Sequence, residues 1–274
     1  MKKLYTFDGK LVHRNITVED MQKAKGIKKL VQVNPGNAEE AVACVEAGVD
    51  MFICGGGQLK SVREGAPNTF ITAGVALHAF PTDDDTVREA YATMVNGADA
   101  IYTPRRPEFA KLLADEGIPV MGHLGLVPRR STFVGGLRAV GKTADEAMDL
   151  YDQFRRLEDA GAFAVEAEVV PEQVLAEITK RTSLITISLG SGRAGDVQYL
   201  FMADICGDNP DMPRHGKSYG NLLKLREKMQ AERVSAVTAF KDDVMSGSFP
   251  EPKLNVQMKE REYEEFLNRL EKSG

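Results

Sequence analysis

The sequence predicts a closed (β/α)8 barrel, and three observations carry that prediction. Short apolar runs alternate with amphipathic stretches eight times within roughly 200 residues, the density of a barrel. Several amphipathic stretches end in one phrase, EAGVD, NGADA, DEGIP and DAGAF, with Gly just past a helix C-terminus and a strand starting within three residues. Such αβ loops fit a parallel sheet with right-handed crossovers. No GxGxxG follows the first strand, which counts against an open doubly wound sheet, the other arrangement of this pattern.

The segment 16–26, ITVEDMQKAKG, reads as an N-terminal helix capped near Thr17. The first barrel strand is 30–33, and a helix at 37–47 stops at Gly48. Strand 50–54, DMFIC, opens into Gly55-Gly56-Gly57, and 69–75, TFITAGV, is the next buried strand. A helix at 82–96 begins with Asp83, Asp84 and Asp85, which suit the positive end of a helix dipole, and ends at Gly97. Strand 99–103, helix 107–116 and strand 119–122 follow, then a long loop, 123–142. Helix 143–160, strand 163–168, helix 172–181, strand 184–188 and strand 199–204 complete the barrel. Residues 219–246 and 255–271 read as two helices joined by GSFPEP, the second amphipathic through Tyr263, Phe266, Leu267 and Leu270. The expectation is a single barrel domain over 1–274, with 219–274 as its C-terminal helices.

Composition narrows the function. The 274 residues are 43% hydrophobic and 27% charged, enough for a full core. A net charge of −5 leaves no basic surplus to neutralise a nucleic-acid backbone. No run approaches ~18 apolar residues, so no membrane span is expected. The basic start MKKLYTFDGK lacks an apolar continuation, so no secretory leader is expected. Cys44, Cys54 and Cys206, scattered and without a CxxC, read as reduced thiols of a cytoplasmic protein. His13, His78, His123 and His215 form no HExxH, which disfavours a soft-metal site, while 40 acidic residues leave a hard-cation carboxylate site open.

Barrel active sites form at the C-terminal ends of the strands, so the residues there are the candidates. Alternation puts Glu166 and Glu168 of FAVEAE on one side of a strand. A carboxylate inside a barrel is desolvated and suits general acid or base work; a structural ion pair is the competing reading. His123 in MGHLGL can hydrogen-bond an anionic ligand or be a satisfied core histidine. Gly55, Gly56 and Gly57 can present N–H groups as an anion nest or make a plain tight turn. Arg105 and Arg106 put fixed positive charge at the rim, apt for a carboxylate, unless they are simply solvated. The GSG at 190–192 is a weak phosphate signal, without the flanking Lys of a P-loop.

The stretches GIPVMGHLGLVPRRSTFVGGLRAVGKTADEA (117–147) and RLEDAGAFAVEAEVVPE (156–172) resemble ketopantoate hydroxymethyltransferases. RNITVEDMQKAKG, AGVDMFICGG and VMSGSFPEP extend the resemblance over roughly residues 14–252. It implies a barrel of the phosphoenolpyruvate mutase and isocitrate lyase superfamily. It also implies an enzyme that makes ketopantoate from 2-oxoisovalerate and methylenetetrahydrofolate with Mg²⁺, typically as a homodecamer. A small carboxylic-acid substrate and a homo-oligomer follow. On this resemblance Glu168, followed by Val170-Pro171, matches the family's catalytic Glu, and His123 its substrate-contacting His. The family's VGDS reads CGGG here, so Gly56 stands for a ligand Asp and Gly57 for a substrate-binding Ser. Gly74 stands for the second ligand Asp, and Tyr102 and Pro104 for a substrate Lys and a metal-linked Glu. Gly and Pro side chains cannot ligate, so the resemblance does not carry Mg²⁺ over in the family manner.

Three readings follow. The first is an enzyme forming or cleaving a carbon–carbon bond on a 2-oxo acid or another small carboxylic acid. Glu168 is its base and His123 its substrate contact. Gly55 to Gly57, Tyr102, Arg105 and Arg106 line the substrate, without a metal ligand set. The second keeps a metal held by other groups among Glu166, Asp204, His78 and Cys54. The third is a non-catalytic ligand-binding or assembly paralogue, against which the retained Glu168 and His123 count.

Overall fold

The computed structural model describes residues 1–273. A two-stranded antiparallel hairpin, β1 (Lys2–Tyr5) and β2 (Leu11–Arg14), precedes helix α1 (Val18–Ala24). The barrel then runs β3 (Leu30–Val33), α2 (Ala38–Glu46), β4 (Met51–Gly55), α3 (Leu59–Gly65), β5 (Phe70–Gly74), α4 (Asp83–Val95), β6 (Ala100–Tyr102), α5 (Pro107–Asp115) and β7 (Val120–Gly125). It continues with α6 (Ala144–Asp159), β8 (Ala164–Glu168), α7 (Glu172–Thr179), β9 (Ile185–Leu189), β10 (Val197–Leu200) and α8 (Met202–Cys206). Strands β3 to β10 close in the order β10-β3-β4-β5-β6-β7-β8-β9, all pairs parallel. The expected (β/α)8 barrel is therefore the observed fold.

Local chemistry explains the elements. Thr17, Asn37, Thr82 and Thr143 each accept an N–H three residues on, capping α1, α2, α4 and α6. The glycines of the repeated phrase, Gly48, Gly97, Gly117 and Gly161, all have φ between 76° and 103°, the left-handed turn from helix to strand. Strand residues alternate between two cores. Phe52, Cys54, Ile71, Ile101 and Val165 pack outward against the helices. Leu30, Met51, Phe70, Ala100, Ile187 and Tyr199 fill the barrel interior.

Three features differ from expectation. The last barrel strand is Val197–Leu200, not 199–204, because 202–206 coils into α8. Asp204 is thus on a helix, where its carboxylate accepts the Asn209 amide at 2.7 Å. The β1–β2 hairpin and the short helix α3 are additions, the latter burying Leu59 and Val62.

The chain divides into two compact units, 1–220 and 221–274. The second contains α9 (Leu222–Ser246), a 3-10 turn at Pro252–Leu254 and α10 (Glu260–Glu271). Within it the Phe240 and Phe249 rings meet edge to face at 5.1 Å. Val237, Phe240, Tyr263 and Phe266 are exposed in the single chain.

Candidate active site

Two adjacent strands build the centre of the site. β7 pairs with β8 in a register that sets His123 opposite Glu166 and Gly125 opposite Glu168. Glu166 and Glu168, two residues apart, therefore point to the same interior side. His123 Nε2 lies 2.9 Å from Glu168 Oε2 and 3.6 Å from Glu166 Oε1. From β6, the Tyr102 hydroxyl shares a 2.6 Å hydrogen bond with His123 Nδ1, its direction set by the imidazole tautomer.

The backbone around Glu168 is held from three sides. Its carbonyl accepts the Leu126 N–H at 2.8 Å. Gly125 sits at φ 87°, and a Cβ there would fall 2.3 Å from that same carbonyl oxygen, so only glycine fits. Val169 has φ 50°, an uncommon conformation for a β-branched residue, and its N–H donates to Leu189 at 2.8 Å. The buried Ser191 hydroxyl donates to the Ala167 carbonyl at 2.7 Å and accepts the Val170 N–H at 2.8 Å. The GSG at 190–192 thus secures the end of β8, which answers its weak phosphate signal.

Electrostatics set this cluster apart. Among the described residues no Lys or Arg pairs with Glu166 or Glu168; their one ionic neighbour is His123. Burial pushes the Glu166 carboxyl up to about 7, with Glu168 adding to the rise and His123 opposing it. Burial, reinforced by the Glu166 charge, holds the Tyr102 and Tyr199 phenols protonated well above their ordinary range. His123 Nε2 is buried without a hydrogen-bond partner, since Glu168 Oε2 lies close but off the N–H direction. Tyr199, which the sequence reading did not single out, lines the mouth beside Tyr102; its alternation with Val197 along an interior strand is the signal that places it there.

The mouth is a cavity of about 240 Å³ lined by Asn34, Ile53, Gly55, Gly74, Tyr102 and Glu166, among others. Gly55 is thus at the mouth, but its N–H donates to Gln58 Oε1 at 3.1 Å, and Gly56 and Gly57 form a 3-10 turn with Gln58. Arg105 and Arg106 line a separate cavity of about 870 Å³ together with His123, Arg129 and Arg130. The Arg105 guanidinium donates to the Phe80 carbonyl at 2.6 Å, and Arg106 is paired with Asp83 of α4. Of the alternative metal ligands, Cys54 faces the outer core, Asp204 is bonded to Asn209, and His78 is exposed. Glu166 alone joins the cluster.

The positions that the resemblance assigns to Mg²⁺ offer it no side-chain donor, since they are Gly56, Gly74 and Pro104. A Cβ at Gly56 would lie 3.2 Å from the Gly74 carbonyl oxygen, and one at Gly74 would lie 3.4 Å from the Tyr102 ring. Pro104 offers only its carbonyl, which accepts Arg129 at 2.8 Å. Tyr102 thus occupies the space beside Gly74.

A (β/α)8 barrel with a buried carboxylate–imidazole cluster at the C-terminal ends of its strands defines a class of barrel enzymes. A sequence profile of ketopantoate hydroxymethyltransferase matches residues 56–252. A 3-methyl-2-oxobutanoate hydroxymethyltransferase of Thermotoga maritima is 34% identical, over 86% of this chain and 94% of its own. Another from Staphylothermus marinus is 30% identical, over 92% and 99%. The chain belongs to the ketopantoate hydroxymethyltransferase family. Among solved structures, a Burkholderia cenocepacia protein described as a phosphonomutase shares the fold at a TM-score of 0.51 and 12% identity, covering 82% of this chain and all of that one. The carboxyl transferase domain of Rhizobium etli pyruvate carboxylase does so at 0.51 and 10%, covering 73% and 46%.

Proposed function

We propose that this protein forms a carbon–carbon bond on a small 2-oxo acid, with 2-oxoisovalerate as substrate and methylenetetrahydrofolate as one-carbon donor. The observation that carries this reading is Glu168. It is a carboxylate at the C-terminal end of β8 with no Lys or Arg partner among the described residues, 2.9 Å from His123 Nε2. A carboxylate at the end of a barrel strand, without a Lys or Arg holding it, is free to turn towards a substrate proton.

Glu168 takes the proton from the carbon next to the substrate carbonyl. Water hydrolyses the methylene donor, breaking its carbon–nitrogen bonds to give formaldehyde and tetrahydrofolate; the enolate carbon attacks the formaldehyde carbon, and the aldehyde oxygen takes up a proton to become the new hydroxyl. His123, fixed by Tyr102, contacts the carbonyl or carboxylate of the substrate. The neutral Tyr102 phenol stands where the resemblance places a substrate lysine. No step runs through Mg²⁺ at Gly56, Gly74 and Pro104, because these positions do not fit it.

Arg105 and Arg106 serve the substrate less directly, since Asp83 holds both. The exposed apolar side chains of α9 and α10 support a homo-oligomer. Three free cysteines support a cytoplasmic location. No described helix is long and apolar enough to cross a membrane.

The test is turnover of 2-oxoisovalerate with methylenetetrahydrofolate by the purified protein, followed as ketopantoate formed. Formation that disappears in Glu168→Gln is the expected result. No ketopantoate from the well-folded protein, with Mg²⁺ or Mn²⁺ supplied, would overturn the reading.

A further inference from the structure

We propose that His123 Nε2, Glu166 and Glu168 form a site for one divalent transition-metal ion, on the β7–β8 wall of the barrel. The first support is geometry. The donor atoms of these three residues all lie within 4.8 Å of one another, with Nε2 at 2.9 and 3.6 Å from its two carboxylate neighbours. A cation about 2.0–2.2 Å from nitrogen and oxygen donors sets neighbouring donors about 3–3.5 Å apart, so one ion is accommodated by small side-chain shifts.

The second support is the imidazole. His123 is 7% exposed, and its Nε2 is buried without a hydrogen-bond partner, 2.9 Å from Glu168 Oε2 and 3.6 Å from Glu166 Oε1. An unpartnered buried nitrogen is costly, and a metal ion satisfies it through its lone pair. The other ring nitrogen is engaged by Tyr102 at 2.6 Å, the outer contact that orients a ligating imidazole. Charge points the same way: two carboxylates on one side of β8 lack any Lys or Arg partner among the described residues. All three ligands stand on strands, so the site is assembled by register and not by a loop.

The donor set selects the ion. One imidazole and two carboxylates suit Mn²⁺, Fe²⁺ or Zn²⁺ better than Mg²⁺, which prefers oxygen donors and water. Three protein ligands leave coordination positions open, as in catalytic and not structural sites. Glu168 is the most exposed ligand, 14% against 4% and 6% for the side chains of His123 and Glu166. It is a ligand in the substrate-free protein and a base only after it has left the ion. That last relation rests on the function proposed above; the site itself does not.

The experiment is metal binding to the full chain, freed of metal with chelator and without substrate. Mn²⁺ is titrated in and followed by the loss of its free EPR signal, with pulsed EPR of the bound ion. The expected result is one Mn²⁺ per chain coupled to one imidazole nitrogen. That coupling is lost in His123→Gln, and affinity falls about tenfold or more in Glu166→Gln. Asp149→Asn, in the arginine-lined cavity, leaves binding unchanged. Circular dichroism confirms that each variant is folded. No stoichiometric binding at millimolar Mn²⁺, a bound ion without nitrogen coupling, or equal affinity in Glu166→Gln would each overturn the proposal. Because no substrate is present, such a failure leaves the proposed reaction standing, and a failure of turnover leaves this site standing.

Discussion

At the N-terminal end of the barrel, two carboxylates, Asp99 and Asp196, each have a cation. Asp99 is held by Arg14 at 2.6 Å and Arg63 at 2.7 Å, and it also accepts the Ile71 N–H. Asp196 is held by Lys25 at 2.7 Å and accepts from Thr186. At the C-terminal end, Glu166 and Glu168 share one histidine. The difference teaches where this fold spends its electrostatics. One end fixes charge to hold the hairpin, α1 and the barrel strands together. The other leaves charge uncompensated, where a proton or a ligand can be handled.

The largest effect that separates the two ends is on turnover. Glu168→Gln is expected to lower ketopantoate formation by about 10²–10⁴-fold, the usual contribution of a general base, with little change in melting temperature. Steady-state kinetics beside a thermal melt check both halves.

Next comes the opposite signature at the other end. Asp99→Ala strands two buried arginines and is expected to cost about 3–5 kcal/mol of stability, read by urea unfolding. The protein that remains folded should keep its turnover. A selective loss of kcat in folded Asp99→Ala would break the division.

Glu166 gives a pH test with a definite sign. Its folded pKa is raised from 4.5 to about 7, so its contribution to stability is fully present below about 4.5 and lost as pH rises through about 7. At about 1.4 kcal/mol per unit, the loss is on the order of 3 kcal/mol by pH 8. In chelator, Glu166→Gln should therefore be more stable than the parent at pH 8 and nearly equal at pH 4. Equal pH dependence in both proteins would contradict the assignment.

Tyr102→Phe is the smallest change. It removes one hydrogen bond to His123, and about a tenfold loss in turnover with roughly 1 kcal/mol of stability is expected. Steady-state kinetics check it, and turnover unchanged in Tyr102→Phe would show that this hydroxyl does not orient the imidazole.

Much of this was legible in the chain. The repeated αβ phrase places four left-handed glycines, and with them the alternation of helix and parallel strand. Strand ends then nominate Glu168 and His123, which the register brings together. The misplaced last strand has a physical reason. Residues 197–206 are one mostly apolar run, and such a run does not distinguish a short strand from a short helix. The β1–β2 hairpin was signalled by Asp8-Gly9, with Gly9 at φ 79°, within a segment read only for its charge. Tyr102 pairing with His123, and the turn of Arg105 and Arg106 toward Asp83, depend on contacts between separate elements, which spacing along one chain does not encode.

The most direct measurement is exchange of the hydrogen next to the carbonyl of 2-oxoisovalerate, followed by NMR in deuterated buffer without the one-carbon donor. The uncompensated-carboxylate account predicts exchange catalysed by the parent protein and slowed about 10²–10⁴-fold in Glu168→Gln. Exchange at the parent rate in that variant would show that another group takes the proton and would contradict it.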